Sequence, residues 1–354
     1  MSRSQRLAVA GTKPSTRRSV RLVSKGGEVP PMHSIRLSPA ATESGKRAAL
    51  SVKGAAAKRS KTSDELPLLT AEQIAACTTL EQPKLPFDLA TAREHLCAAD
   101  VRFQALFAQM DLTVYEELCD GHIRELNLFR VLSTSILGQQ ISWLAARSIL
   151  FKFCRLFAPH LPEKPDFSVI KREELPFPTP LDVLGASDEQ LRSAGLSTAK
   201  VKYIRDIARR FADGRLDVRR IVHMSYDECI AELTQVKGVG RWTAEMLLMF
   251  ALRRPDVLPV GDLGVQRGML LFHLAGATGP VLSEHKRRRP YDGPGDVDVP
   301  ALPMDLSLAV LRSRSQGHKK KNAYLDEPEM QALTARWAPY RSVGCMFMWH
   351  LIDA

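Results

Sequence analysis

Apolar residues recur along this chain at helical spacing. Ala90, His95, Leu96, Val101, Phe103, Leu106 and Phe107 mark the face of one or two helices, and Leu112, Tyr115 and Leu118 mark another. Leu128, Leu132, Ser135 and Ile136 share a face until Gly138 breaks the pattern. Ser142 can then cap a helix carrying Leu144, Ile149, Phe153 and Phe157. Six prolines between 158 and 180 predict a loop. Ser187 with Gln190 forms a capping box for a short helix ended by Gly195. Ser197 starts another through Lys200, Ile204, Ile207 and Phe211, with Gly214 past its end. Ser225 with Glu228 opens a third, which buries Ile230 and Leu233. After a glycine-rich turn, Ala244, Leu247, Leu248 and Ala251 return at helical spacing. Helical pattern also covers Gly268–Leu274, about 305–313, and Glu329–Trp337. Pro339 suits the first turn of a last helix through Met346, Phe347, Trp349 and Ile352. No internal repeat and no strand-like alternation stands out, so the pattern predicts an all-α body.

Charge changes the picture only at one end. Residues 1–62 hold 14 Lys/Arg against Glu28 and Glu43, which accounts for the net charge of +11 and leaves the rest nearly neutral. That stretch is rich in Ser, Arg, Lys, Ala and Pro and is expected to be disordered. Lys46-Arg47 and Lys58-Arg59-Ser-Lys61 read as nuclear-import clusters or a nonspecific DNA-contacting arm. The acid-free first 25 residues also fit a mitochondrial transit peptide, and a plain solvated tail is the third reading. No run approaches the roughly 18 apolar residues of a membrane span. The six cysteines are scattered without a C-x-x-C pair, which argues for a reducing compartment and no structural zinc.

Candidate chemistry centres on Val236-Lys-Gly-Val-Gly240, the turn between two helices. Gly238 and Gly240 can take positive φ and leave room for a close neighbour. The second helix begins directly behind them with unpaired N–H groups and a partly positive end, which favours anions. Lys237 and Arg241 flank that end, so a DNA backbone is a natural ligand, set against a plain helical hairpin. Asp262 follows Trp242 by twenty positions. A carboxylate can stabilise an oxocarbenium-like sugar and activate water, and it can also simply cap a helix.

Gly238-Val-Gly-Arg-Trp-Thr-Ala244 followed by Gly261-Asp262 resembles the helix-hairpin-helix (HhH-GPD) superfamily of base-excision DNA glycosylases, and within it the DNA-3-methyladenine glycosylase II branch. Gly138-Gln-Gln-Ile141, Gly195–Ile204 and Trp337–Ser342 carry further likeness. The resemblance implies an all-α fold of two helical subdomains with a cleft between them. A basic tail and linker would cover 1–85, and helices at 86–128 would pack with C-terminal helices at 268–354. A helical domain would span 129–267 with its hairpin at 233–244, and a disordered insertion would fill about 276–325.

The same resemblance implies the site. Asp262 is the catalytic residue; Trp242, Trp143 and Tyr203 line the base pocket; Lys237, Gly238, Val239, Gly240, Arg241 and Thr243 hold the DNA backbone. Gln139, Gln140 and Ile141 form the intercalating loop, with Gln140 or Ile141 as wedge, unless the glutamines only satisfy helix ends. Aromatic side chains suit cationic alkylated purines. Trp242 occupies the position where the bifunctional branch carries a lysine, and an indole cannot form a Schiff base. The expected function is therefore a monofunctional, water-using glycosylase for 3-methyladenine, 7-methylguanine and similar bases in double-stranded DNA. A glycosylase/lyase and a catalytically inactive DNA-binding module are the alternatives. No metal is assigned to side chains. A structural monovalent ion at the hairpin carbonyls is implied by the family, and only Cys345 follows Asp262, so no iron–sulfur cluster is expected. A monomer with no membrane partner, located in the nucleus or also the mitochondrion, completes the expectation.

Overall fold

The computed structural model describes residues 66–109, 125–170, 173–276, 299–317 and 324–353. The expected tail over 1–62, the helix of Leu112, Tyr115 and Leu118, and the basic runs at 286–289 and 319–321 lie outside the described residues. The body is all-α. Its helices are α1 (Ala71–Thr78), α2 (Leu89–Ala99), α3 (Arg102–Gln109), α4 (Leu128–Gly138), α5 (Trp143–Phe157), α6 (Pro180–Gly185), α7 (Asp188–Ser193), α8 (Thr198–Ala212), α9 (Val218–Ile221) and α10 (Tyr226–Leu233). They continue with α11 (Arg241–Met246), extended by a π turn over Leu247–Ala251, and α12 (Leu263–His273). After these come α13 (Leu308–Ser315), α14 (Glu327–Leu333), a 3-10 turn over Ala335–Trp337 and α15 (Arg341–Asp353).

Side-chain caps set most starts. Ser142, Ser187, Ser197 and Ser225 each accept a backbone N–H in the first turn of the helix they open. Several expectations are corrected. The linker expected before residue 86 contains α1, opened by a Thr70/Gln73 capping box, and the strand β1 (Thr79–Glu81). β1 pairs antiparallel with β2 (Glu125–Asn127) in the register Thr79↔Asn127, Leu80↔Leu126 and Glu81↔Glu125. Three residues per strand are too few for alternation to show in sequence. Pro180 is not loop but opens α6 behind the Thr179 cap, and Pro339 follows a cis peptide bond ahead of α15 rather than sitting in its first turn.

Two groups of helices share one continuous apolar core. In one, Phe129 of α4 meets Phe211 of α8 and Phe177 edge-on, and Phe153 of α5 packs on Phe177 as well. In the other, Phe103 of α3 meets Phe272 of α12, Trp337 and Phe347 of α15 at 4.8–6.0 Å. Residues before 110 and after 262 thus close on each other. Glycines allow the tightest contact there: a Cβ at Gly268 would lie 2.1 Å from the Met348 carbonyl oxygen, so α12 and α15 touch at the backbone.

Candidate active site

The hairpin joins α10 to α11. Gly238 takes φ +85°, and a Cβ there would lie 2.5 Å from the Tyr203 ring, so both conformation and space require glycine. Gly240 does not adopt the expected positive φ. It is the N-cap of α11 at φ −94° and offers no side-chain cap, and a Cβ on it would meet nothing within 4 Å. The uncapped first turn of α11 and the open space at Gly240 therefore coincide.

Only part of the expected backbone-binding set faces outward. Lys237 is exposed, with Nζ 3.6 Å from Asp206, whose other oxygen accepts the Lys237 backbone N–H. Val239 and Thr243 are buried, so their side chains pack inward and only their main chain is left to face a phosphate. Arg241 is not a spare positive charge. Its guanidinium donates to Glu245 at 3.0 Å and to Glu327 of α14 at 2.9 Å. Glu245 is fully buried and also accepts from Tyr226 Oη at 2.7 Å, while its second oxygen has no partner. Burial raises the Glu245 pKa, and burial plus the bond to Glu245 pushes Tyr226 up to about 12.

The loop at 139–141 meets the hairpin directly. Gln139 Nε2 donates to the Gly238 carbonyl at 2.9 Å. Gln139 thus satisfies a backbone group, which was one of its two expected roles. Gln140 stands at φ +61° and is exposed, and Ile141 is 37% exposed. Leu144, expected on the buried face of α5, points out at 71% exposure, so two apolar side chains project beside the turn. Lys200 ties the loop from behind: its Nζ donates to the Leu137 carbonyl at the end of α4, and burial lowers its pKa.

Asp262 is both cap and candidate catalyst. Its Oδ1 accepts the Val265 N–H at 2.8 Å, opening α12. Trp242 Nε1 donates to Oδ2 at 2.7 Å, and Trp349 Nε1 of α15 donates to Oδ1 at 2.9 Å. The preceding loop is stitched to α15 as well. Ser342 Oγ donates to the Arg254 carbonyl and accepts the Val257 N–H, and Arg341 pairs with Asp256. Gln266 donates to the Val260 carbonyl and accepts the Tyr324 N–H. Asp262 is 4% exposed, yet Gly261 is exposed and Trp242, Leu263 and Gly264 are half-buried. The structure therefore joins Asp262, Trp242, the hairpin and, through Gln139, the 139–141 loop.

The other two aromatic candidates have neighbours of their own. Tyr203 lies against Gly238 of the hairpin and is half-buried. Trp143 carries the Arg147 guanidinium 5.1 Å from its ring centroid, so a cation already covers that ring. Trp349 is a site residue that apolar spacing reads as core. Two signals point to it. A buried indole needs an acceptor for its N–H, and Gly264 and Gly268, one helical turn apart, mark a close helix approach. Among the described residues no group of three or more His, Cys, Asp or Glu side chains could hold a metal ion.

The sequence profile described as HhH-GPD superfamily base excision DNA repair protein matches residues 134–291. The chain is 39% identical over 98 residues to DNA-3-methyladenine glycosylase 1 of Schizosaccharomyces pombe, covering 27% of this chain and 43% of that protein. It is 27% identical over 266 residues to DNA-3-methyladenine glycosylase of Saccharomyces cerevisiae, covering 73% of this chain and 78% of that one. The match thus spans less than half the length of the fission-yeast relative and over three quarters of the budding-yeast one. A solved DNA-3-methyladenine glycosidase from Bacillus halodurans aligns at 26% identity with a TM-score of 0.42, over 70% of this chain and 88% of that chain.

Proposed function

Because residues 134–291 match the HhH-GPD superfamily of base excision DNA repair proteins, we propose that this chain is a monofunctional DNA glycosylase that hydrolyses alkylated purines from double-stranded DNA. The single observation that carries this reading is Asp262, held by two indole N–H groups and a backbone N–H one hydrogen-bonded step from the hairpin helix. In the reaction, the bond from C1′ to the purine nitrogen breaks and its electron pair leaves with the base. The oxocarbenium-like sugar takes the oxygen of a water molecule, and the water proton passes to Asp262. An N3- or N7-alkylated purine is cationic and leaves readily. Trp242, half-buried and bonded to the carboxylate through Nε1, would offer it a π face worth about 0.5–2 kcal/mol.

The DNA backbone would lie across Gly238–Gly240 and the first turn of α11, with Lys237 beside it, and Gln140, Ile141 and Leu144 would enter the gap left by the extruded base. A lysine nucleophile finds no support at either nearby candidate. Lys237 is exposed beside Asp206, and Lys200 is spent on the end of α4. A monovalent cation at the hairpin is compatible with the carbonyls there. Those of Val236 and Gly238 each accept one hydrogen bond, from the Val239 N–H and from Gln139, and each keeps a second lone pair. Such an ion would stiffen the turn, and no chemical step passes through it.

The test is incubation with methylated duplex DNA, watching for free 3-methyladenine and 7-methylguanine. Wild type is expected to release both, Asp262→Asn to lose at least about a hundredfold in rate, and borohydride to trap no covalent adduct. Tight DNA binding without base release would move the protein to the binding-module reading, and a trapped adduct to the lyase reading.

A further inference from the structure

The carboxylate of Asp262 is held unequally. A carboxylate offers about four lone-pair positions, two on each oxygen. On Oδ1 both are taken, by the Val265 N–H at 2.8 Å and Trp349 Nε1 at 2.9 Å. On Oδ2 one is taken, by Trp242 Nε1 at 2.7 Å. Both indoles are neutral donors that cannot give up their protons, so they orient the group without competing as acids.

The fold is built to bring Trp349 there. Gly264 has no side chain where one would matter: a Cβ would lie 2.8 Å from Trp349 Cδ1 and 2.9 Å from Asp262 Oδ1. The missing methyl is therefore what lets the indole edge reach Oδ1. One turn later, Gly268 lets α15 lie against α12 at Met348, the neighbour of Trp349. Phe250, in the π turn behind α11, stacks on the Trp349 ring at 5.9 Å and 28°, fixing its plane. Trp349 itself is buried.

We propose that Trp349 is a positioning residue that, together with the Val265 N–H, closes Oδ1 of Asp262 and leaves one acceptor position, on Oδ2, to serve the reacting sugar and its water. The inference rests on the role of Asp262 in the proposed glycosylase. It makes the carboxylate single-sided: the water proton goes to Oδ2, and the plane in which the sugar must approach is set by the two indoles.

Kinetics and indole NMR test it on the full chain, which contains four tryptophans. Trp349→Phe keeps the ring packing and removes only the donor. It is expected to lower kcat about tenfold while KM for alkylated DNA stays within about twofold. Gly264→Ala is expected to show the same split, because it pushes the indole from Oδ1. In protein labelled at the indole nitrogens, Asp262→Ala is expected to move the Trp242 and Trp349 N–H resonances and leave those of Trp143 and Trp337 in place. An unchanged kcat in Trp349→Phe, or an unmoved Trp349 resonance in Asp262→Ala, overturns the proposal. Should Trp349→Phe fail to fold, Gly264→Ala and the resonances decide it. Full base release by Asp262→Ala would instead sink the catalytic role of Asp262 itself, whereas an inert Asp262→Ala beside a fully active Trp349→Phe would sink only the positioning role.

Discussion

Asp262 shows how one side chain can serve two ends. The bond from Val265 opens a helix, as an ordinary cap would, and in the proposed reaction the same carboxylate is the group aligned for chemistry. His273 is a second residue whose state follows from its partners. Arg102 can only donate, so its Nη2, 3.2 Å away, makes Nδ1 of His273 the acceptor and puts the proton on Nε2, which is buried without a partner. Burial, with the Arg102 charge added, holds the His273 pKa well below the usual histidine value. The histidine is neutral in the folded state and charges in the unfolded one below pH about 6.5. Its contribution to stability is therefore complete above that pH and is lost as pH falls, at up to about 1.4 kcal/mol per pH unit. The free energy of urea unfolding should fall more steeply between pH about 6.5 and about 5.5 in wild type than in His273→Phe. Arg241 gives a third case. Arg241→Leu leaves the buried Glu245 with Tyr226 alone, so the thermal midpoint should drop; an unchanged midpoint would mean that the arginine serves only DNA.

At the scale of elements, glycine positions decide more than helix propensity does. Gly268→Ala should cost several kcal/mol, because a backbone carbonyl 2.1 Å from the new methyl cannot step aside, and denaturant titration measures it. Gly238→Ala should also unfold more easily, from strain at φ +85° and contact with Tyr203. The long helices were legible because caps and apolar spacing agreed, as at Ser197 and Ile204 of α8. The hairpin was legible for the same reason, and the place of Asp262 at a helix start was too. What sequence could not show were elements with little local signature. β1 and β2 are three residues each, α9 is four, and the π turn after Met246 leaves the apolar pattern of an ordinary helix. The partners of Arg241 and Trp349 were hidden because they come from 86 and 87 residues away, where only the fold brings donor to acceptor.

At the scale of the whole molecule, a run of arginines among the described residues is already paired. Arg205, Arg210, Arg215, Arg219 and Arg220 pair with Asp188, Asp206, Asp213, Asp217 and Glu232. Whatever each pair adds to stability, it holds its guanidinium on a carboxylate of the chain and away from phosphate. DNA affinity should then depend on few body charges. Lys237→Ala should flatten the dependence of log affinity on log salt by about 0.9, the release of one counterion, whereas Arg219→Ala should leave that slope unchanged.

Trp349 reaches Asp262 from 87 positions downstream. While the polypeptide is still being synthesised, the hairpin and the aspartate exist well before the second indole does. The full set of bonds on that carboxylate is therefore complete only once the last helix has docked.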